Sequence, residues 1–343
     1  MERTADSGEL ALIERIRRMV GAPGRGTVVG IGDDAAVLEP AGELELFTCD
    51  AFVEGVHFRR DLASFREIGA KCMVANVSDV AAMGGFPTKA TVAVCVPPDV
   101  TAGEVDELYA GMLDACRRYG AEIVGGDVVS SPRGLVVSIA LLGAVGRERV
   151  VTRSGAMVGD ALLVTGNLGA SEAGLRAFLA GLPSEGAVRE ARLRHVSPVA
   201  RIAEAQALID VATPRAMIDV SDGLSSELWH IANESRVGVT VLEKRIPLAP
   251  AAVDVAEKLG VDPLDLALGS GEEFELLVAI PATEVARTLE HVSAVTGTEV
   301  THIGEVVPAS AGCTLVRRDG GVETLKRIGY EHLVPAERGE GER

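Results

Sequence analysis

Apolar positions along this chain follow two alternating periods. In 9–20, "ELALIERIRRMV", Leu10, Ile13, Ile16 and Val20 share one helical face, with Ser7 as candidate N-cap. Alternation then predicts strands near 27–31, 35–39 and 44–50. "ASFREIGAKCMVANVSDVAAMG" reads as mostly helix from about Ser64, and "TKATVAVCVP" as a strand. "TAGEVDELYAGMLDACRRYG" is an amphipathic helix capped by Thr101 and closed by Gly120. Two more strands, "AEIVGGDVV" and "GLVVSIALLGAV", flank a Ser-Pro-Arg-Gly turn.

The strand pattern pauses near Gly146–Arg153, and a new unit begins with "GDALLVTG" and a Gly- and Ala-rich helix from about Gly169. A helix from about Val199 leads into a strand, Ala216 to Val220, that breaks at Ser221–Asp222–Gly223. Beyond it the pattern predicts a helix over 223–235, a strand over 237–242 and a helix over 251–259. A strand ends the "SGEEFELLVAI" run, followed by a helix over 282–291 and a strand over 299–306. Both halves mix strands and helices. The expectation is an α/β protein with mixed α+β sheets in two domains, 1–147 and 148–334, with a polar tail at 335–343.

Composition narrows the function classes. The length of 343 residues is comfortable for two domains, and 47% hydrophobic content allows substantial cores. The formal charge is −17 and aromatics make up only 3%, which argues against a nucleic-acid binder. The five cysteines form no CxxC pair, and the odd number fits a reducing cytoplasm. No apolar run is long enough to span a membrane, and no signal-peptide core is visible.

The candidate chemistry lies in aspartates at element ends. "MIDVSDGL" (217–224) places Asp219 and Asp222 at a strand-to-helix break, and "VANVSDVAAMG" (74–84) echoes it with Asp79. "GIGDDAAV" carries Asp33 and Asp34, "FTCDAF" carries Asp50, and "VGGDVV" carries Asp127. A single aspartate at such a place is usually a cap or turn former. Six at the ends of apolar strands or helices, Asp34, Asp50, Asp79, Asp127, Asp219 and Asp222, point instead to hard divalent cations that bridge carboxylates to phosphates. "TVVGIGDDA" only superficially fits a dinucleotide turn, because its two carboxylates would face the pyrophosphate. No Gly-x4-Gly-Lys-Ser/Thr loop occurs anywhere.

The ordered set "GIGDDAAV", "TCDAFVEGVHF", "ANVSDVAAMGG", "VGGDVV", "TRSGAMVGDALLVTG", "IDVSDGL", "SGEEFEL" and "IGYEHL" closely resembles thiamine-monophosphate kinases. That family belongs to the aminoimidazole-ribonucleotide-synthetase-like superfamily. The likeness runs from about Glu9 to Leu333. It implies ATP-dependent phosphorylation of thiamine monophosphate, a two-domain fold and a homodimer formed through the N-terminal sheet. The implied Mg²⁺ ligands are Asp34, Thr48, Asp50, Asp79, Asp127, Asp219 and Asp222, with Asp33 and the Cys49 backbone in secondary roles. The implied ATP contacts are Gly126, Asp127, Arg153 and Ser221. Tyr109, on an amphipathic helix, reads equally as core. His57, Glu272 and Tyr330 are the implied acceptor contacts. The competing readings are another ATP-using member of the superfamily and a nucleotide- and metal-binding regulator without turnover.

Overall fold

The computed structural model describes residues 27–29, 36–38 and 44–330. The expected helix over 9–20, its cap Ser7, Asp33, Asp34 and the tail from 335 lie outside them.

The first half forms a six-stranded sheet in the order β1-β2-β3-β6-β4-β5. Its strands are β1 (Thr27–Val29), β2 (Ala36–Leu38), β3 (Leu44–Val53), β4 (Phe86–Val96), β5 (Glu122–Ser130) and β6 (Val136–Val145). Neighbours are antiparallel except β4 and β5. Helices α1 (Phe65–Ala82) and α2 (Ala102–Tyr119) belong to the same half. Both start with a capping box, Ser64 with Glu67 and Thr101 with Glu104, which satisfies amides that the first turn would otherwise strand. Gly120 closes α2 in a left-handed conformation, as its place in the sequence predicts.

Residues Leu46, Phe52, Val92, Val94, Ile139 and Leu141 alternate on one face of the sheet and pack with Met73, Val77, Leu108 and Met112 of the helices. α1 and α2 meet backbone to backbone. A Cβ on Gly69 would lie 1.9 Å from the Leu108 carbonyl, and one on Gly111 1.9 Å from that of Arg66. The opposite face leaves Phe47 and Val53 exposed, and the β5 edge leaves Val124, Val128 and Val129 exposed.

The second half forms a seven-stranded sheet in the order β13-β12-β9-β11-β7-β10-β8. Its strands are β7 (Asp160–Thr165), β8 (Ala216–Asp219), β9 (Gly238–Leu242), β10 (Leu276–Pro281), β11 (Val300–Val307), β12 (Cys313–Val316) and β13 (Val322–Thr324). The intervening helices are α3 (Ala170–Leu179), α4 (Gly186–Val196), α5 (Ile202–Val211), α6 (Leu224–Ser235), α7 (Pro250–Leu259), α8 (Pro263–Gly269) and α9 (Val285–Thr296). Strands β7, β8 and β10 are buried almost throughout, because helices cover both faces. One layer joins Leu228, Ile231 and Leu268 to Leu162, Ile218 and Leu277. The other joins Leu208 and Val292 to Leu163, Met217 and Val278, and it also takes in Ala81 and Ala82 from the end of α1. α1 therefore contributes to the cores of both halves.

Four elements differ from the sequence expectation. α4 carries four arginines or histidines in "REARLRH" and buries only a few side chains, so its period is weak. α8 spans only seven residues. β12 and β13 are short, and β13 is exposed at every position, which hides the alternation that would reveal it.

Candidate active site

The site lies where α1 passes between the halves. β3 points Thr48 and Asp50 to the side where α1 packs, and the last turns of α1 bring Ser78 and Asp79. Asp79 sits inside the helix rather than at a strand-to-helix break like that of its echo, Asp219. β8 ends at Asp219, and the chain turns through Ser221–Asp222–Gly223 into α6.

Hydrogen bonds tie these elements together. Thr48 Oγ1 donates to Asp79 Oδ2 at 2.5 Å. Ser78 Oγ donates to Asp219 Oδ2 at 2.6 Å. The other oxygen of Asp219, Oδ1, is buried without a hydrogen-bond partner among the described residues. Such an orphan is costly unless something positive meets it.

The electrostatics confirm the clustering. Burial, then the charge of Asp219, pushes Asp50 up to about 6. Burial, then Asp50 and Asp219, holds Asp79 well above the usual carboxylate range, and Asp222 adds to it. Burial also raises Asp219, against the Ser78 hydroxyl and Arg153. Glu227 on α6 joins the group: burial and Asp222 raise it, while its Oε1 accepts the Asp222 amide at 3.0 Å. Like-charged buried carboxylates push one another toward the neutral form. A divalent cation reverses that push.

The donor set is all oxygen, as Mg²⁺ requires, and it includes the buried Asp219 Oδ1. Among the described residues, no three His, Cys, Asp or Glu side chains converge into a ready-made cage. Mg²⁺ keeps several waters and substrate phosphates in its shell, so an open acidic cradle suits it better than a closed one.

Arg153, Ser221, Glu272 and Tyr330 adjoin this cradle through the 219–227 segment, and one metal-ligand candidate does not join it. The positive charge of Arg153 is near enough to favour the ionised forms of both Asp219 and Glu227. The turn that follows Arg153 is clamped by Ser235 Oγ, which accepts the amides of Gly155 and Ala156 at 3.2 and 3.1 Å. The Ser221 carbonyl accepts the amide of Glu272 at 2.7 Å. Tyr330 donates its amide to the Asp222 carbonyl at 3.0 Å. A Cβ on the preceding Gly329 would come within 2.4 Å of that carbonyl, so only glycine lets the 328–330 segment lie this close to Asp222. His57 Nδ1 accepts the Val53 amide at 3.0 Å, and the ring stands edge-on to Phe52. Tyr109 is half-buried against the α1–α2 core.

Asp127 is the exception. Register places it in the row of Ala93, Ser138 and Ala51, one position off the row of Gly126, Val92, Ile139 and Asp50. Successive positions of a strand face opposite sides, so Asp127 lies on the exposed side of the β5 edge, and its Oδ1 accepts the Val128 amide at 2.9 Å. The structure therefore gathers Thr48, Asp50, Asp79, Asp219 and Asp222 and leaves Asp127 apart. Cys49 is exposed, with Sγ 3.7 Å from Ser138 Oγ.

Three side chains beside the site escaped the sequence reading. Lys71 Nζ lies 2.6 Å from Glu272 Oε2, His195 Nδ1 lies 3.5 Å from the same oxygen, and Glu227 sits under Asp222. A signal existed for Lys71: it is the lone charge in the apolar run 68–78. Burial, and then the Lys71 ammonium, lowers His195 to about 4, so at neutral pH its contact with Glu272 carries no ion pair. Glu275, also in "SGEEFEL", serves the scaffold. It is fully buried and forms a two-pronged pair with Arg201, at 2.7 and 2.5 Å.

Comparisons with known proteins agree with this arrangement. Residues 32–145 match the family described as AIR synthase related protein, N-terminal domain, and 157–314 match its C-terminal domain. The thiamine-monophosphate kinase of Rhodopirellula baltica is 37% identical over 81% of this chain and 83% of its own. That of Escherichia coli is 35% identical over 95% of this chain and 98% of its own. A solved ThiL complexed with AMPPCP and TMP superposes with a TM-score of 0.84 at 32% identity, covering 97% of this chain and 99% of its own. The thiamine monophosphate kinase structure from Aquifex aeolicus has a TM-score of 0.77 at 31% identity, covering 91% and 97%. The hydrogenase maturation protein HypE, at 22% identity or less, shares the fold. The chain belongs to the thiamine-monophosphate kinase family, built on the two-part AIR synthase related fold.

Proposed function

We propose that this protein transfers the terminal phosphoryl group of ATP to the phosphate of thiamine monophosphate, forming thiamine diphosphate and ADP. The observation that carries the reading is the acidic cradle assembled from both halves of the chain, Thr48, Asp50 and Asp79 from one and Asp219 and Asp222 from the other. Relatives at 35 to 37% identity bear the matching name, and a ThiL structure holds AMPPCP, an ATP analogue, together with TMP.

In the proposed reaction an acceptor phosphate oxygen attacks the γ-phosphorus in line, while the bond to the β–γ bridging oxygen breaks and ADP leaves. When bound at the cradle, Mg²⁺ ions neutralise the phosphate charges that this acidic chain cannot meet with its own side chains. Asp50, Asp79, Asp219 and Asp222 are the residues that would hold them, with Asp34 added by resemblance. Thr48 and Ser78 fix two of these carboxylates by hydrogen bonds, so they need not reorganise during transfer. Arg153 is suited to phosphate oxygens, and Ser221 and Gly126 are kept as further nucleotide contacts, Asp127 lying apart from the cradle. His57, Glu272 and Tyr330 bind the acceptor, and Tyr330 supplies an aromatic face for its ring. The acceptor oxygen is already ionised near neutral pH, so no side chain acts as a strong base.

We further take residues 1–147 and 148–334 as separate domains and the active form as a cytoplasmic homodimer. The exposed apolar side chains on the open face of the first sheet and along β5 support the dimer, since an apolar edge in water invites pairing. Among the described residues no helix is long and apolar enough to cross a membrane.

The deciding experiment measures ADP and thiamine diphosphate with ATP, Mg²⁺ and thiamine monophosphate. Stoichiometric formation of both supports the reading. Tight nucleotide binding with no turnover of this acceptor would favour a regulator.

A further inference from the structure

Lys71 occupies a position that a hydrophobic residue would fill at less cost. Its side chain is 6% exposed in the middle of α1. A buried ammonium is expensive even when paired, and an apolar replacement of similar size is often neutral or better for stability. Stability alone therefore does not account for it.

Its contacts suggest another purpose. Lys71 Nζ donates to Glu272 Oε2 at 2.6 Å and to the His57 carbonyl at 3.4 Å. Glu272 and His57 come from different halves of the chain, and one ammonium touches both. Glu272 also has a left-handed backbone, with φ of 59°, held by the hydrogen bond its amide donates to the Ser221 carbonyl. A non-glycine residue there is strained, so its side chain needs an anchor to point one way. His195 is neutral at neutral pH and supplies no charge, whereas Lys71 brings a positive charge to this carboxylate at 2.6 Å.

We propose that Lys71 is a positioning residue for the acceptor site. It grips Glu272 by Oε2, so that Oε1 presents to the amino-bearing ring of the acceptor, and it sets the spacing between Glu272 and the His57 turn. This rests on the acceptor reading proposed above. Lys71 holds the acceptor pocket rather than the nucleotide pocket, so its loss acts on one substrate.

The test compares the full-length protein with Lys71→Met, Lys71→Arg, Glu272→Gln and the Lys71→Met/Glu272→Gln double variant. Lys71→Met should raise KM for thiamine monophosphate about tenfold, the scale of one lost charge-assisted contact, with KM for ATP changed less than about twofold. Lys71→Arg should restore most of the acceptor KM. Glu272→Gln should add little in the Lys71→Met background, because the two act as one unit. The rise in Tm produced by thiamine monophosphate should shrink in Lys71→Met, while the rise produced by ATP with Mg²⁺ remains. An unchanged acceptor KM would overturn the inference. So would parallel increases for both substrates, or fully additive effects of the two substitutions. Failure of the acceptor reading looks different: the wild type itself would form no ADP with thiamine monophosphate, and this inference would fall with it.

Discussion

Ser78 and Asp219, 141 positions apart, are joined by a 2.6 Å hydrogen bond that links α1 of the first half to β8 of the second. The bond satisfies one oxygen of a buried carboxylate, and the other has no partner among the described residues. Buried acids in such company destabilise an empty site and favour a cation-filled one. The scaffold thus holds charge in readiness, and its behaviour should change with pH and with metal.

Stability should show this directly. Asp50, Asp79 and Asp219 have folded-state pKa values raised above the usual carboxylate range, and Asp50 reaches about 6. A raised acid favours the fold below its unfolded pKa, and that contribution is lost as pH climbs through the folded value. Without metal, the cluster's contribution to stability should therefore fall between about pH 4 and pH 6. Mg²⁺ should offset the loss, so the gain in Tm on adding it should be small near pH 5 and large near pH 7. Thermal melts with Mg²⁺ and with chelator across this range check it. A gain independent of pH would speak against metal binding at these acids, and full turnover in excess chelator would contradict the mechanism.

Asp79→Asn and Asp222→Asn should each reduce kcat by about a hundredfold or more, since each removes a charge from the proposed cation cradle. The side-chain amide oxygen introduced by Asp79→Asn can still accept the Thr48 hydroxyl, so the fold survives. In chelator, Asp79→Asn should melt at a higher temperature than the wild type, because a neutral amide replaces an acid whose ionisation burial and neighbouring carboxylates oppose. Near-normal turnover in both variants would mark these aspartates as structural.

Thiamine monophosphate should be used far better than thiamine at equal concentration, because the attacking group is a phosphate oxygen. His57→Asn keeps an acceptor for the Val53 amide while removing the ring. It should raise KM for the acceptor more than it lowers kcat. Comparable rates on thiamine, or a variant dead in kcat with unchanged KM, would reverse this assignment.

Light scattering at micromolar concentration should report a dimer. Val128 is 60% exposed on the β5 edge, and Val128→Glu should shift the population toward monomer by placing charge in an apolar contact. A wild-type monomer would remove the proposed interface.

Arg201→Met isolates a structural acid from the functional ones. It leaves the fully buried Glu275 without its two-pronged partner and should cost about 3–5 kcal/mol in denaturant melts. Activity per folded molecule should be nearly retained. A large fall in kcat without loss of stability would place Glu275 in the reaction.

Local signals determined much of this protein. The capping pairs Ser64–Glu67 and Thr101–Glu104, the Gly120 stop and the alternation in β3, β4 and β6 act between near neighbours, and each can be read in the chain. So can Asp219 and Asp222, because two acids where an apolar strand runs into Ser-Asp-Gly are visible in eight letters. Tertiary structure decided the rest. It set Asp127 on the exposed side of β5 and buried Glu227 beneath Asp222. It also brought Lys71 to Glu272 across 201 positions. Register, burial and long-range pairing depend on which surfaces meet, and a residue's neighbours in sequence do not carry that information.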